Sequence, residues 1–219
     1  MFSINYQYIC KQNILIIKNM RDGKPTKNRL LIEAFKLFAH KPYDRVTFAD
    51  LEEVTGLSRG AILYHIKTKE NLFLNVVNKF IFDRNSVSNL SEKFHSNLSL
   101  FITQFIETCQ KEKDEMLEIG ISNVNNAMLN IEISAFYILP KMREIANEWL
   151  CKEKNTWEIV LKNAISKKEI KDDINIELFV DLFQNIYLGT SFAGVVHEDG
   201  YKIDQLKREF MQIYQLIKK

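Results

Sequence analysis

With 219 residues, 46% apolar and 26% charged, the chain has the make-up of a packed soluble protein, which excludes a disordered, collagen-like or low-complexity polymer. Its three cysteines, Cys10, Cys109 and Cys151, are odd in number and far apart, so neither a disulfide framework nor a paired-cysteine zinc site is expected, and a reducing cytoplasm suits them. The net charge of +2 hides an asymmetry: residues 1–80 carry 13 Lys+Arg against 7 Asp+Glu, and the rest 17 against 21, which puts the basic surplus at the N-terminal end.

Within residues 1–24 the apolar run Ile14 to Ile17 is too short for a signal peptide or a membrane span and gives way to Lys18 and Asn19. The segment reads as an N-terminal extension, or as an early start ahead of Met20. Arg21, Lys24 and Lys27 form either a basic arm for a minor groove or a solvated tail. From Thr26 to His40 the residues Leu30, Leu31, Ala34, Phe35, Leu37 and Phe38 recur at three and four, the stripe of a helix.

The stretch TFADLEEVTGLSRGAILYHIKTKENL, Thr47 to Leu72, holds two short capped helices around a glycine. Thr47 with Asp50 three residues on has the form of a capping box, and Val46 is placed to staple onto Leu51. Ser58 repeats the cap and Leu57 can staple onto Ile62, while Gly56 supplies the turn, the spacing of a helix-turn-helix. Arg59, Gly60 and Ala61 make the first turn of the second helix. A cation at the positive end of a helix dipole costs about 0.3 to 1 kcal/mol, and glycine within a helix costs about as much relative to alanine. Both costs make sense if DNA arrives there, because arginine donates to guanine and a missing side chain lets backbone come close. Lys69 repeats the anomaly just after the N-cap Thr68, where an ammonium and free N–H groups can hold a phosphate.

These residues resemble the tetracycline-repressor (TetR) family of bacterial transcription factors. LLIEAFKLF from Leu30 to Phe38 is similar to its first helix, Tyr43 to Thr47 to its loop, and GLSRGAILYHIKTKENLF from Gly56 to Phe73 to its recognition helix and the start of its fourth helix. The resemblance implies that Thr47, Tyr64, His65 and Lys69 touch the DNA backbone and that Ser58, Arg59, Gly60 and Ala61 face the groove. Leu63, Ile66, Pro42 and Glu52 depart from the family pattern, which has tyrosine, phenylalanine, glycine and alanine there. The implied architecture is all-α: an extension (1–24), a three-helix helix-turn-helix head (25–70) and a helical effector-binding and dimerisation bundle (71–219).

Beyond the head the periodicity predicts helices near 69–85, 91–110, 113–126, 140–168, 176–196 and 203–217, with Pro140 at a first helical position. The charged run Ile165 to Asn175 breaks the chain between two of them. The apolar residues from Leu178 to Leu188 occupy too much of a helix circumference for one face, so a second copy of the chain is expected to cover one side. Phe179, Phe183, Ile186, Gly189 and Ala193 are the expected dimer contacts, and the resemblance implies a four-helix bundle across a two-fold axis. Phe101, Phe105, Met116, Phe136, Trp149 and Tyr187 are candidates to line a cavity for a small lipophilic or aromatic effector.

Neither a glycine-rich phosphate loop, HExxH, GxSxG nor a ligand-spaced histidine pair occurs, so no enzyme, metal site or cofactor is expected. Two classes of function remain. One is a dimeric regulator on a palindromic operator of double-stranded DNA, released by a small molecule; the other is a helical carrier or interaction protein with a degenerate head, suggested by Leu63, Ile66 and Glu52.

Overall fold

In the computed structural model, which describes residues 25–83 and 86–219, the stripe expected after Thr26 is a helix, α1 (Pro25–His40), with Leu30, Leu31, Ala34, Phe35 and Phe38 fully buried. The expectations for residues 1–24, the extension and the Arg21 and Lys24 arm, lie outside the described residues. A 3-10 turn (Tyr43–Arg45) leads to α2 (Phe48–Thr55) and α3 (Arg59–Ile66), then α4 (Lys69–Val77). Phe38 meets Phe73 edge-on with ring centroids 4.8 Å apart, which fixes α1 across α4. The last turn of α4 widens into a π turn, Asn78–Phe82, in which Phe80 stacks on Phe35 of α1 at 4.1 Å.

The body is built from α5 (Leu98–Glu118), α6 (Val124–Ile138), α7 (Met142–Ser166), α8 (Ile176–Gly194) and α9 (Ile203–Ile217). Among the described residues there are nine α-helices and no strand. The helices predicted at 91–110 and 113–126 are one, α5, which starts only at Leu98, and α6 forms over a stretch where the periodicity predicts almost none. The polar run Gln110 to Glu115 does not end a helix, because Gln110 donates to Asp114 (2.8 Å) and Lys111 pairs with Glu115 (3.6 Å) along its exposed side. The chain turns later, at Gly120 (φ 89°), and α6 starts at the cap Asn123, whose side chain accepts from the Asn126 N–H. Pro140 closes the turn after α6 rather than opening α7, and Lys141 beyond it takes a left-handed φ of 65°.

The centre of the body is an aromatic stack. Trp157 of α7 lies between Phe183 of α8 (4.8 Å) and Phe210 of α9 (5.7 Å), with Phe101 of α5 edge-on at 5.1 Å. Two glutamates tie loops to it. Glu153, buried on α7, accepts from the Ser86 hydroxyl (2.5 Å) and the Val87 and Ser88 N–H groups. Glu169, in the charged break before α8, accepts from the Leu98 and Ser99 N–H groups and so caps α5. One continuous apolar cluster runs from Leu30 to Ile217, joining head and body.

Candidate nucleic-acid interface and effector cavity

The helix-turn-helix is held by local hydrogen bonds that its sequence dictates. The Thr47 hydroxyl accepts from the Asp50 N–H (3.1 Å) and the Asp50 carboxylate accepts from the Thr47 N–H (2.7 Å), a complete capping box at α2. Gly56 closes α2 in the left-handed region (φ 64°), where a side chain would be strained. Arg29 of α1 donates to the Thr55 carbonyl beside it. Ser58 accepts from the Ala61 N–H at the start of α3. Glu52 departs from the family pattern for a structural reason, since its carboxylate accepts from the Arg59 N–H at 2.5 Å and fills the positive end of α3 from within the chain.

The expected DNA-facing residues share one surface. Thr47, Ser58, Arg59, Gly60 and Tyr64 are exposed, Tyr64 to 76%, and Ala61, His65 and Lys69 are half-buried. Arg59 and Lys69 do not fold onto carboxylates. The Arg59 guanidinium lies over the Phe48 ring (4.9 Å) and the Lys69 ammonium over the Tyr43 ring (4.1 Å). An exposed cation–π contact contributes about 0.5 to 1 kcal/mol, comparable with the dipole penalty at a helix start, so each cation is held in place without a direct ion pair among the described residues. Burial lowers the Lys69 pKa, and the nearby Asp44 and Asp50 carboxylates oppose that shift. Asp50 is held well below the usual carboxylate range, first by a hydrogen bond from Lys41 (2.8 Å) and then by those from Thr47.

Between α3 and α4 the chain turns on a single residue. Lys67 has φ 65° and ψ −55°, and the Thr68 N–H donates to the Ile66 carbonyl (2.8 Å), a three-residue turn strained for any side chain. The Asn71 amide donates to the same carbonyl (2.7 Å), fixing Lys69 relative to Tyr64. Nothing in the sequence marks Lys67, because this φ normally calls for glycine or asparagine. Phe48 and Glu52 were equally invisible as partners of Arg59, since they come from another helix.

A cavity of about 390 Å³ lies in the body, walled by the π turn after α4, by α5 to α8 and by Tyr201. Of the candidate residues, Phe136, Trp149 and Tyr187 line it; Phe101, Phe105 and Met116 do not. Phe101 and Phe105 are used up in the stack around Trp157, Met116 is buried in the core, and Phe105 borders only a void of about 10 Å³. The wall includes residues that aromatic spacing could not single out: Phe80, Phe82, Glu132, Phe192 and Tyr201. Burial alone pushes the Glu132 carboxyl up to about 7, and it also raises Tyr187 and Tyr201 well above the usual phenol value.

The expected dimer contacts divide. Phe183 is fully buried between Trp157 and Phe210 and does not reach the surface; a ring that large fills the core of its own chain. Phe179 and Ile186 are half-buried against that core, whereas Gly189 and Ala193 are exposed. Leu178, Leu188 and Phe192 are exposed with them on α8, and Val196 follows just past its end.

A capped helix-turn-helix presenting cations held without direct ion pairs, carried on an all-α body with a cavity, defines a helix-turn-helix DNA-binding regulator. Residues 30–76 match the family of bacterial regulatory proteins described as the tetR family. The chain is 26% identical over 155 residues to the HTH-type transcriptional regulator QacR of Staphylococcus aureus, covering 64% of this chain and 82% of that one. It is 51% identical over 53 residues to the HTH-type transcriptional repressor AcnR of Corynebacterium glutamicum, covering 23% of this chain and 28% of that one. The fold matches the TetR family transcriptional regulator PfmR of Thermus thermophilus with a TM-score of 0.64 and 16% identity, over 85% of this chain and 97% of that one. Residues 30–76 thus carry a tetR-family domain, and the chain as a whole is similar to transcriptional regulators and shares the fold of TetR-family proteins. Among the described residues, no helix is long and apolar enough to cross a membrane.

Proposed function

We propose that this protein is a cytoplasmic, ligand-responsive repressor that binds a palindromic operator as a homodimer and is released by a small lipophilic or aromatic effector. Residues 25–70 act as the DNA-binding head and 71–219 as the effector-binding and dimerisation body. The observation that carries the reading is the outward set at the start of α3 and α4: Arg59 over Phe48, Gly60 with nothing within 4 Å of a Cβ built on it, Tyr64 exposed, and Lys69 over Tyr43. A groove-facing helix start needs cations that are positioned but not ion-paired, and open backbone between them. The carrier reading loses its motive, because Glu52 caps α3, Ile66 is buried and Leu63 is half-buried.

The dimer rests on α8, where Leu178, Gly189 and Phe192 fall at spacings that share one exposed side, with Val196 exposed just past its end. Gly189 is open to solvent, so its missing side chain serves close approach of another helix rather than its own fold. Two heads related by a two-fold axis reach half-sites about 34 to 36 Å apart.

The test is selection of a palindrome from random duplexes, with Arg59→Ala and Lys69→Ala beside the parent chain. Losing Lys69 weakens all sequences alike and lowers the salt slope by about one, while losing Arg59 relaxes preference at particular base pairs by about 1 to 3 kcal/mol. Equal, weak and sequence-blind binding by all three proteins overturns the proposal.

A further inference from the structure

The cavity wall has a charge pattern that the apolar reading of the effector does not explain. Among the described residues lining it are two carboxylates, Glu112 and Glu132, and no lysine, arginine or histidine. Seven rings join them in the wall, Trp149 and Tyr187 among the largest. Glu132 is the sole charged residue of α6, Val124 to Ile138, whose other members are apolar or neutral, and it sits one helical turn from Met128 and from Phe136, both cavity residues. An acid in such a helix is costly unless a cation meets it.

From this arrangement we infer that the cavity takes a protonated lipophilic amine, its ring or alkyl body held by the aromatic wall and its ammonium facing Glu132. The inference rests on the reading of the body as effector-binding. Two further observations support it. Burial holds the Glu132 carboxyl up at about 7, and no basic side chain among the described cavity residues opposes it. The Ser191 and Tyr201 hydroxyls are buried and belong to residues that line the cavity, Ser191 beside the Tyr187 hydroxyl and Tyr201 beside the Cys109 sulfur, and neither oxygen takes a hydrogen bond from an N–H group among the described residues. Tyr201 is only 2% exposed, so its hydroxyl has no bulk water to turn to. Oxygens of this kind accept from an N–H donor, which a protonated amine carries and a hydrocarbon does not. A ring wall adds cation–π attraction of the same sign.

The experiment uses three probes with one ring system and three charges: 1-(aminomethyl)naphthalene, 1-naphthylmethanol and 1-naphthoate. Each is titrated by calorimetry into the full-length protein, without DNA, at pH 8, where the Glu132 carboxyl is mostly ionised and the amine is still mostly protonated. The expected result is that the amine binds at least about tenfold more tightly than the alcohol and that the carboxylate binds least. In Glu132→Gln, which keeps size and shape, the amine falls to the level of the alcohol while the alcohol is unchanged. The inference is overturned if the alcohol or carboxylate binds as well as the amine, if none of the three binds, or if Glu132→Gln leaves the preference for the amine intact. Binding of the selected duplex by the same ligand-free preparation is read separately. Duplex binding without amine preference sinks only the effector class, whereas amine binding without duplex binding sinks the repressor reading and leaves the cavity assignment standing.

Discussion

Gly60→Ala separates what α3 needs to fold from what it needs to bind. Gly60 lies in the first turn of the helix, outside the left-handed region, and a Cβ placed on it meets nothing within 4 Å. Alanine therefore introduces no clash, and it removes the conformational freedom that glycine gives the unfolded chain. The full difference in a helix interior is about 1 kcal/mol, and in a first turn half or more of that survives, so the variant should be more stable by about 0.5 to 1 kcal/mol. That is about a two- to fivefold rise in the folding constant, read as a higher urea midpoint at unchanged slope. On DNA the same methyl group stands where backbone should approach the groove, and affinity for the selected palindrome should fall by about tenfold, or roughly 1.4 kcal/mol, measured by anisotropy at fixed salt. A variant that is less stable, or one that binds the palindrome as tightly as the parent, refutes the assignment of Gly60 to the interface.

Gly194→Ala should do the reverse: its Cβ would stand 2.5 Å from the Tyr201 nitrogen and 2.9 Å from the Tyr201 Cα, so a loss on the order of 1 to 3 kcal/mol is expected in urea unfolding. Glu52→Ala uncovers the Arg59 N–H and should lower the stability by about 1 kcal/mol, whereas Glu52→Gln keeps an acceptor and should cost less; equal stability of all three sinks the proposed cap. Asp50 has a depressed pKa in the folded chain, so its contribution is present above the unfolded value of about 4 and disappears as pH falls further. The stability gap between the parent and Asp50→Asn should accordingly narrow between pH 6 and pH 2.5 in urea titrations, and a gap that widens in acid contradicts this. Phe192→Glu should give monomers that keep their helical signal, while Phe183→Glu should unfold the chain; light scattering with circular dichroism distinguishes the two, and a dimeric Phe192→Glu counts against the α8 interface.

The head was legible because its signals are local. Thr47, Ser58 and Thr68 each accept from the N–H three residues on, and a residue pattern three positions long is what a sequence displays directly. The α9 stripe was legible for the same reason, since Leu206, Phe210, Tyr214 and Ile217 are buried on one side of a helix that is otherwise polar. Aromatic residues in the body could not be sorted this way. Phe105 and Phe136 look alike in sequence, but one packs on Trp157 and the other faces the cavity, and only the packing of five helices decides between them. The same holds for Phe183, whose place on an over-apolar helix fitted an interface as well as a core. A usable sign was present at Glu132, a single acid in an apolar helix, but its meaning needed the cavity beside it.

In the proposed mechanism the cavity has two routes to the head, and their geometry differs. One is α4, which begins at Lys69 in the interface and ends in the π turn whose Phe80 and Phe82 line the cavity. The other is α6, whose Met128, Glu132 and Phe136 line the same cavity while its Asn130 donates to the Ala39 carbonyl (2.8 Å) near the end of α1. Phe80 stacks on Phe35 of α1, so both routes converge on one helix of the head, and a ligand that moves either wall of the cavity bears on the same element. A rigid head carried by α1 and α4 turns as a unit, since its own turns are fixed by the caps and by Arg29 on Thr55. A ligand shifts the head from a bound-competent to an incompetent arrangement only by its differential affinity for the two, about 5.5 kcal/mol for a change from 1:99 to 99:1. An ammonium meeting a buried carboxylate is one of the few single contacts large enough to supply much of that difference, provided that the wall closes on it in one arrangement and opens in the other.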